Sequence, residues 1–156
     1  MSGSQVFAIP NMETNLRDAL KEVLETTFGA SPEFISPDES AKGISAIIGI
    51  SNGVSGYLAI HMSPEDACRV AEIMLGDSYP DVDDIVCDAI GEMANMLGGS
   101  LKKFSGRYGE PFKISVPTIV SGRDYETHAA KDAGQVLLGL RVISVCFTIQ
   151  LVVNPQ

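Results

Sequence analysis

The sequence predicts an α+β fold, with long helices packed on a mostly antiparallel sheet. Three observations carry this. Apolar residues recur at helical spacing in three separate segments. The dipeptide Asn52-Gly53 joins two β-rich runs, and Asn-Gly favours a tight hairpin because both residues tolerate positive φ. The last two β-rich runs are separated by a turn of only about two residues, too short for a crossover between parallel strands.

Taken in order, residues 11–29 place Leu16, Leu20, Val23, Leu24 and Phe28 on one helical stripe, and Gly29 suits the helix end. The stretch SPEFISPDES carries two prolines and reads as a short strand or an irregular connection. GISAIIGISNGVSGYLAIHM is the hairpin. A second helix begins at SPEDACRVAEIMLG: Ser63 caps it, Pro64 fits the first helical position and Asp66 stands where a capping-box acid would. Its apolar stripe is Ala67, Val70, Ala71, Met74 and Leu75. The longest helix spans about 82–104. GEPFKISVPTIVSG holds one or two short strands, with Pro117 at a strand start or on an edge. Residues 123–134 form a polar loop, and two strands near 135–142 and 145–153 close the domain. Residues 1–10 form an N-terminal segment and 11–156 a single domain.

Composition excludes several functions. Hydrophobic residues make up 45% of 156, enough for a packed core. A formal net charge of −9 argues against a surface that tracks nucleic-acid phosphates or anionic lipid. Cys68, Cys87 and Cys146 are odd in number and widely spaced. This points to small buried side chains in a reducing compartment rather than disulfides or a structural zinc. The N-terminus has no basic region followed by an apolar core, so no signal peptide is expected. Residues 136–153 are apolar enough to suggest a membrane span, but Arg141, Gln150 and the density of β-branched residues favour buried strands.

The 88–99 stretch, DAIGEMANMLGG, sets a carboxylate and a carboxamide three residues apart among glycines. At about 100° per residue, Glu92, Asn95 and Gly99 fall within about 40° of Asp88, with Asp84, Lys102 and Lys103 within about 60°. Val86, Ile90, Met93, Leu97, Leu101 and Phe104 gather on the opposite side, within about 40° of Leu97. The second group is expected on the sheet. The first is expected in solvent, flanked by Gly91, Gly98 and Gly99, whose missing side chains would let a partner approach. A polar solvated helix face is the plain structural alternative. A weak internal repeat adds that Asp18, Ala19, Glu22 and Gly29 match Asp88, Ala89, Glu92 and Gly99 at an offset of 70, with Glu25 in the place of Asn95.

Other clusters offer less. Asp77, Asp81, Asp83, Asp84 and Asp88 lack calcium-loop spacing and instead suit a helix N-terminus. His61 and His128 have no partner at ligand or triad spacing. SNGVSG joins two strands and lacks the helix a phosphate cradle needs. No metal site is expected.

AIGEMANMLG, residues 89–98, resembles the signature helix of the CheX/CheC/FliY phosphatases of bacterial chemotaxis, in which an E-x-x-N pair is followed by small residues. Glu92 and Asn95 form that pair. One complete pair on the long central helix makes the chain similar to CheX, and VPTIVSG (116–122) and the final β-rich run are similar as well. The resemblance implies a fold of two quasi-repeated halves like that of CheC and a homodimer joined through sheet edges, for which the β-rich 135–153 surface would need cover. It further implies phosphatase activity on the aspartyl phosphate of a CheY-like response regulator in the cytoplasm. Asn95 would hold the attacking water and Glu92 would pair with the regulator's lysine. Asp88, Gly91, Gly98, Gly99 and Lys102 would meet the partner. The Mg²⁺ would belong to the regulator, and this chain would bind no cofactor. The alternative is a non-catalytic module that binds a receiver domain through the same helix. Residue types suit the first reading: an acyl phosphate is labile, and a carboxamide both donates and accepts hydrogen bonds to orient water.

Overall fold

The computed structural model describes residues 11–38, 43–51, 55–106, 112–122 and 133–154. The N-terminal segment 1–10, the hairpin tip Asn52-Gly53, His128 and most of the 123–134 loop lie outside them. The element order is α1 (Met12–Phe28), β1 (Glu33–Ile35), β2 (Ile44–Ser51), β3 (Ser55–Met62), α2 (Pro64–Leu75), α3 (Asp84–Ser105), β4 (Lys113–Ile114), β5 (Thr118–Ser121), β6 (Gly134–Val142) and β7 (Val145–Asn154).

Local chemistry sets the helix ends. Gly29 closes α1 and Gly76 closes α2, each in the left-handed region that costs glycine nothing. Ser63 accepts from the Asp66 N–H at 3.1 Å, with Pro64 beginning α2. Leu75, expected in the stripe of α2, is half-exposed because the helix ends there and its last turn leaves the core. The predicted turn at Ile143-Ser144 joins β6 to β7, with Ile143 at φ 56°.

Every strand pairing is antiparallel. The order across the sheet is β1-β6-β7-β3-β2-β4, and β5 also pairs with β2. This order encodes the repeat. Exchanging β1 with β4/β5, β2 with β6 and β3 with β7 reads the sheet backwards, so a pseudo-twofold passes between β3 and β7. Each half lends its short strand to the other half's hairpin: β1 pairs with β6, and β4 and β5 pair with β2. The expectation that the 135–153 region presents β-rich surface needing cover is corrected for β7 and narrowed for β6. β7 lies between β6 and β3, so both its edges are taken, whereas β1 covers the outer edge of β6 only along Gly139–Arg141.

Alternate strand residues enter one core with the helices. Ile44, Ala46, Ile48 and Ile50 of β2, Leu58, Ile60 and Met62 of β3, and Phe147, Ile149 and Leu151 of β7 pack with Leu16, Leu20 and Leu24 of α1 and with Ile90, Leu97 and Leu101 of α3. The intervening residues face the other way. There His61, buried, sets Nδ1 2.6 Å from Ser45 Oγ and Nε2 3.0 Å from Gln150 Oε1. It is a satisfied structural histidine. Only Cys68 of the three cysteines is buried, while Cys87 and Cys146 are half-buried, which corrects the expectation for those two. No described helix is long and apolar enough to cross a membrane.

Candidate functional site

The site is built on α3. Asp83 caps it, accepting from the Val86 N–H at 2.9 Å, and Asp84 in the first turn and Lys102 and Lys103 in the last complement the helix dipole. Val86, Ile90, Met93, Leu97 and Leu101 are buried. Asp88, Glu92, Asn95 and Gly99 are exposed along one line. Residues three and four apart on a helix have Cβ atoms only about 5–6 Å apart, so the Glu92 carboxylate and the Asn95 carboxamide are side by side. No hydrogen bond or ion pair among the described residues ties either side chain down, and both are available to another molecule. Asp84, Asp88 and Glu92, spaced by four, form an acidic ridge.

The three glycines divide. Gly91 and Gly98 were expected on the open, partner-facing surface, and the structure corrects this: both are buried. A Cβ at Gly91 would meet Pro117 Cγ at 3.5 Å and Ile119 Cδ1 at 3.7 Å. One at Gly98 would meet Ile114 Cδ1 and Ile48 Cδ1, both at 3.2 Å. The physical reason is helix–sheet distance. Seven residues apart, the two glycines lie on one flank two turns from each other, and their missing side chains let β4, β5 and the residues between them rise against the helix. Their spacing of seven, which keeps both on one flank, is the sequence signal for this contact. Gly99 differs, for a Cβ there would meet nothing within 4 Å.

The opposite flank faces α1. Glu22 accepts from Lys103 Nζ at 2.6 Å and from Ser100 Oγ at 3.0 Å, and these two bonds hold its carboxyl below the usual range, Lys103 contributing most. Lys103, expected to extend the Glu92 face, is instead engaged by α1. Lys102 stays half-exposed at the end of the face. An open groove of about 320 Å³ between the helices is lined by Glu22, Thr26, Met96, Gly99 and Lys103 and runs up to the exposed line at Gly99.

The geometry narrows the chemistry. Burial, and then the carboxylates of Asp84, Asp88 and Asp83, push the Cys87 thiol up, away from nucleophilic use. No group of three or more His, Cys, Asp or Glu among the described residues could hold a metal ion. An exposed Glu–Asn pair on a helix remains, with the chemistry to bind a cation and to orient a water.

The family model described as Chemotaxis phosphatase CheX matches residues 44–140, a stretch that contains the whole of α3. The CheY-P phosphatase CheX of Thermotoga maritima is 36% identical over 94 residues, which span 60% of this chain and 61% of that protein. The fold matches that of the chemotaxis protein CheX from Vibrio vulnificus with a TM-score of 0.83 at 20% identity, covering 96% of this chain and 100% of that one. It also matches CheX from Borrelia burgdorferi, solved as a complex with CheY, BeF3 and Mg²⁺, with a TM-score of 0.78 at 22% identity over 92% of this chain and 98% of the other. With more than half its length matched by the family model, the chain belongs to the CheX family of chemotaxis phosphatases.

Proposed function

We propose that this chain accelerates hydrolysis of the aspartyl phosphate on a CheY-like receiver domain. The observation that carries the reading is the exposed, untethered Glu92–Asn95 pair on α3, the helix that the CheX family model covers. The name of the Thermotoga relative and the CheY bound to the Borrelia protein support the choice of substrate.

In the reaction, the oxygen of a water attacks phosphorus, the bond from phosphorus to the aspartyl oxygen breaks, and the aspartate leaves as a carboxylate while inorganic phosphate forms. The water must lie in line with the breaking bond, and positioning is the main demand because the leaving group is already good. Asn95 Oδ1 accepts a hydrogen bond from that water and its Nδ2 donates toward the phosphoryl oxygens. Glu92 engages the lysine beside the partner's phosphorylation site and fixes the register of the helix. Asp88 and Lys102 extend the contact, and the open position at Gly99 gives the partner's backbone room. The Mg²⁺ that neutralises phosphoryl charge is carried by the receiver.

The same reading places the protein in the cytoplasm and makes it a homodimer. The short strands β1 and β4/β5 at the ends of the sheet leave edges for a second copy, and light scattering at micromolar concentration should report twice the chain mass. To test the activity, CheY-type receivers charged by a small-molecule phosphodonor are mixed with the protein in Mg²⁺. Faster phosphate release than the receiver's own is expected, and binding without acceleration would make the chain a receiver-binding module.

A further inference from the structure

Val116 is 79% exposed, the most exposed large apolar residue among those described. Such a residue commonly lies on a mobile loop, but here its neighbours hold it. Ser115 N–H donates to Gly49 O at 2.9 Å, and Ser115 Oγ accepts from Gly49 N–H at 2.8 Å while donating to Val116 O at 2.9 Å. Pro117 follows, its own φ fixed by the ring and its presence confining Val116 to extended backbone. Pro117 in turn packs on α3 at Gly91. The valine itself is β-branched and stiff at χ1. An apolar side chain is thus displayed to solvent from a segment anchored to β2 on one side and to α3 on the other.

Its location relates it to the site. Ile114 packs at Gly98 and Pro117 at Gly91, so the residues between them run along the stretch of α3 that carries Asn95. Along the helix axis Asn95 lies between the two glycines, and on the helical wheel its direction is about 40° from that of Gly91 and about 60° from that of Gly98. The 114–117 segment therefore borders the Asn95 side of the exposed line, where a partner that receives Asn95 would come close to it.

We propose that Val116 is a docking residue for the receiver domain, seated on an apolar surface beside the partner's phosphorylation pocket, where it adds affinity without touching the reacting atoms. The proposal rests on the reading of the Glu92–Asn95 face as the receiver-binding face. Continuity with that face selects the receiver as occupant. Rigidity is what a docking residue needs, since little side-chain or backbone freedom is lost when it is covered.

The test separates the proposal from the phosphatase reading by measuring binding and hydrolysis in parallel. Binding is read by titration with a CheY-type receiver charged with beryllofluoride and Mg²⁺, and hydrolysis by phosphate release from the phosphorylated receiver. Val116→Asp should weaken binding and raise KM about tenfold or more, leave kcat within about twofold, and keep the thermal midpoint and oligomeric state of the parent. Val116→Ile should restore affinity, and Ile143→Asp, an exposed apolar residue at the β6–β7 turn, should change nothing. If the parent binds but does not hydrolyse, the phosphatase reading falls, yet loss of binding in Val116→Asp still supports the docking residue. Unchanged affinity in Val116→Asp overturns the proposal and leaves the phosphatase reading intact. A shift of Val116→Asp from dimer to monomer assigns the residue to contact between copies and likewise overturns it. A parent that neither binds nor hydrolyses overturns both.

Discussion

Glu92 and Gly99 lie on the same exposed line of α3 but answer to different physics. Glu92 has no ion pair among the described residues, and in the proposed function it meets a cation of the partner. Glu92→Ala should therefore leave folding stability within about 0.5 kcal/mol of the parent while weakening both receiver binding and turnover. The loss should exceed that of an exposed ion pair, about 0–1 kcal/mol, because the contact is desolvated on docking. Titration with a beryllofluoride-charged receiver reads it, with Glu25→Ala on α1 as a variant that retains full activity. Among the described residues nothing lies within 4 Å of a methyl at Gly99, so packing against them does not require glycine there. Gly99→Ala should raise stability by up to about 1 kcal/mol through helix propensity, measured by urea unfolding, and, if Gly99 lies on the proposed docking face, lower phosphatase activity by crowding the partner. Equal activity at higher stability would remove Gly99 from the docking face.

At the scale of elements, α3 is held from both sides, by α1 through Glu22 and by the β4–β5 segment through Gly91 and Gly98. Glu22 has a lowered pKa in the folded protein, so its contribution is present above the unfolded value near 4.5 and is lost as pH falls below that value through the folded one. Glu22→Gln should cost less than about 1 kcal/mol at pH 7, as the pair is solvent-screened. The difference from the parent should shrink as pH falls through the lowered folded pKa of Glu22, as urea unfolding over an acid pH series would show. Much of α3 was legible in the sequence. Its buried stripe and its exposed Asp88–Glu92–Asn95 line both follow from a fixed 100° rotation, which is a local property. The burial of the two glycines is not legible in α3 alone, because what fills the space above them, Ile48, Ile114, Pro117 and Ile119, arrives from distant parts of the chain. A helical wheel shows that a side chain is missing and not what takes its place. The engagement of Lys103 by Glu22, 81 residues away, was hidden for the same reason.

The whole molecule is two similar halves that exchange their edge strands. Neither half can complete its sheet alone, because β1 needs β6 while β4 and β5 need β2. Fragments 1–80 and 81–156, prepared separately, should each lack a cooperative unfolding transition by circular dichroism; an independently folded fragment would contradict the interlocked topology. The repeat was faintly legible in the match between 18–30 and 88–100, but the strand exchange was not, since pairing partners leave no signature in a single sequence. The two halves differ in chemistry: α1 carries Glu22 turned to α3 and Glu25 where a carboxamide would be, so in the proposed function only the α3 face acts. That asymmetry makes Asn95 the most direct test of the account. Phosphate release from a phosphorylated CheY-like receiver in Mg²⁺ should fall by roughly 100-fold or more in Asn95→Ala, as expected for loss of a positioning group, with receiver binding and folding retained. Full activity in a folded Asn95→Ala protein would contradict the assignment of Asn95 as the residue that orients the attacking water.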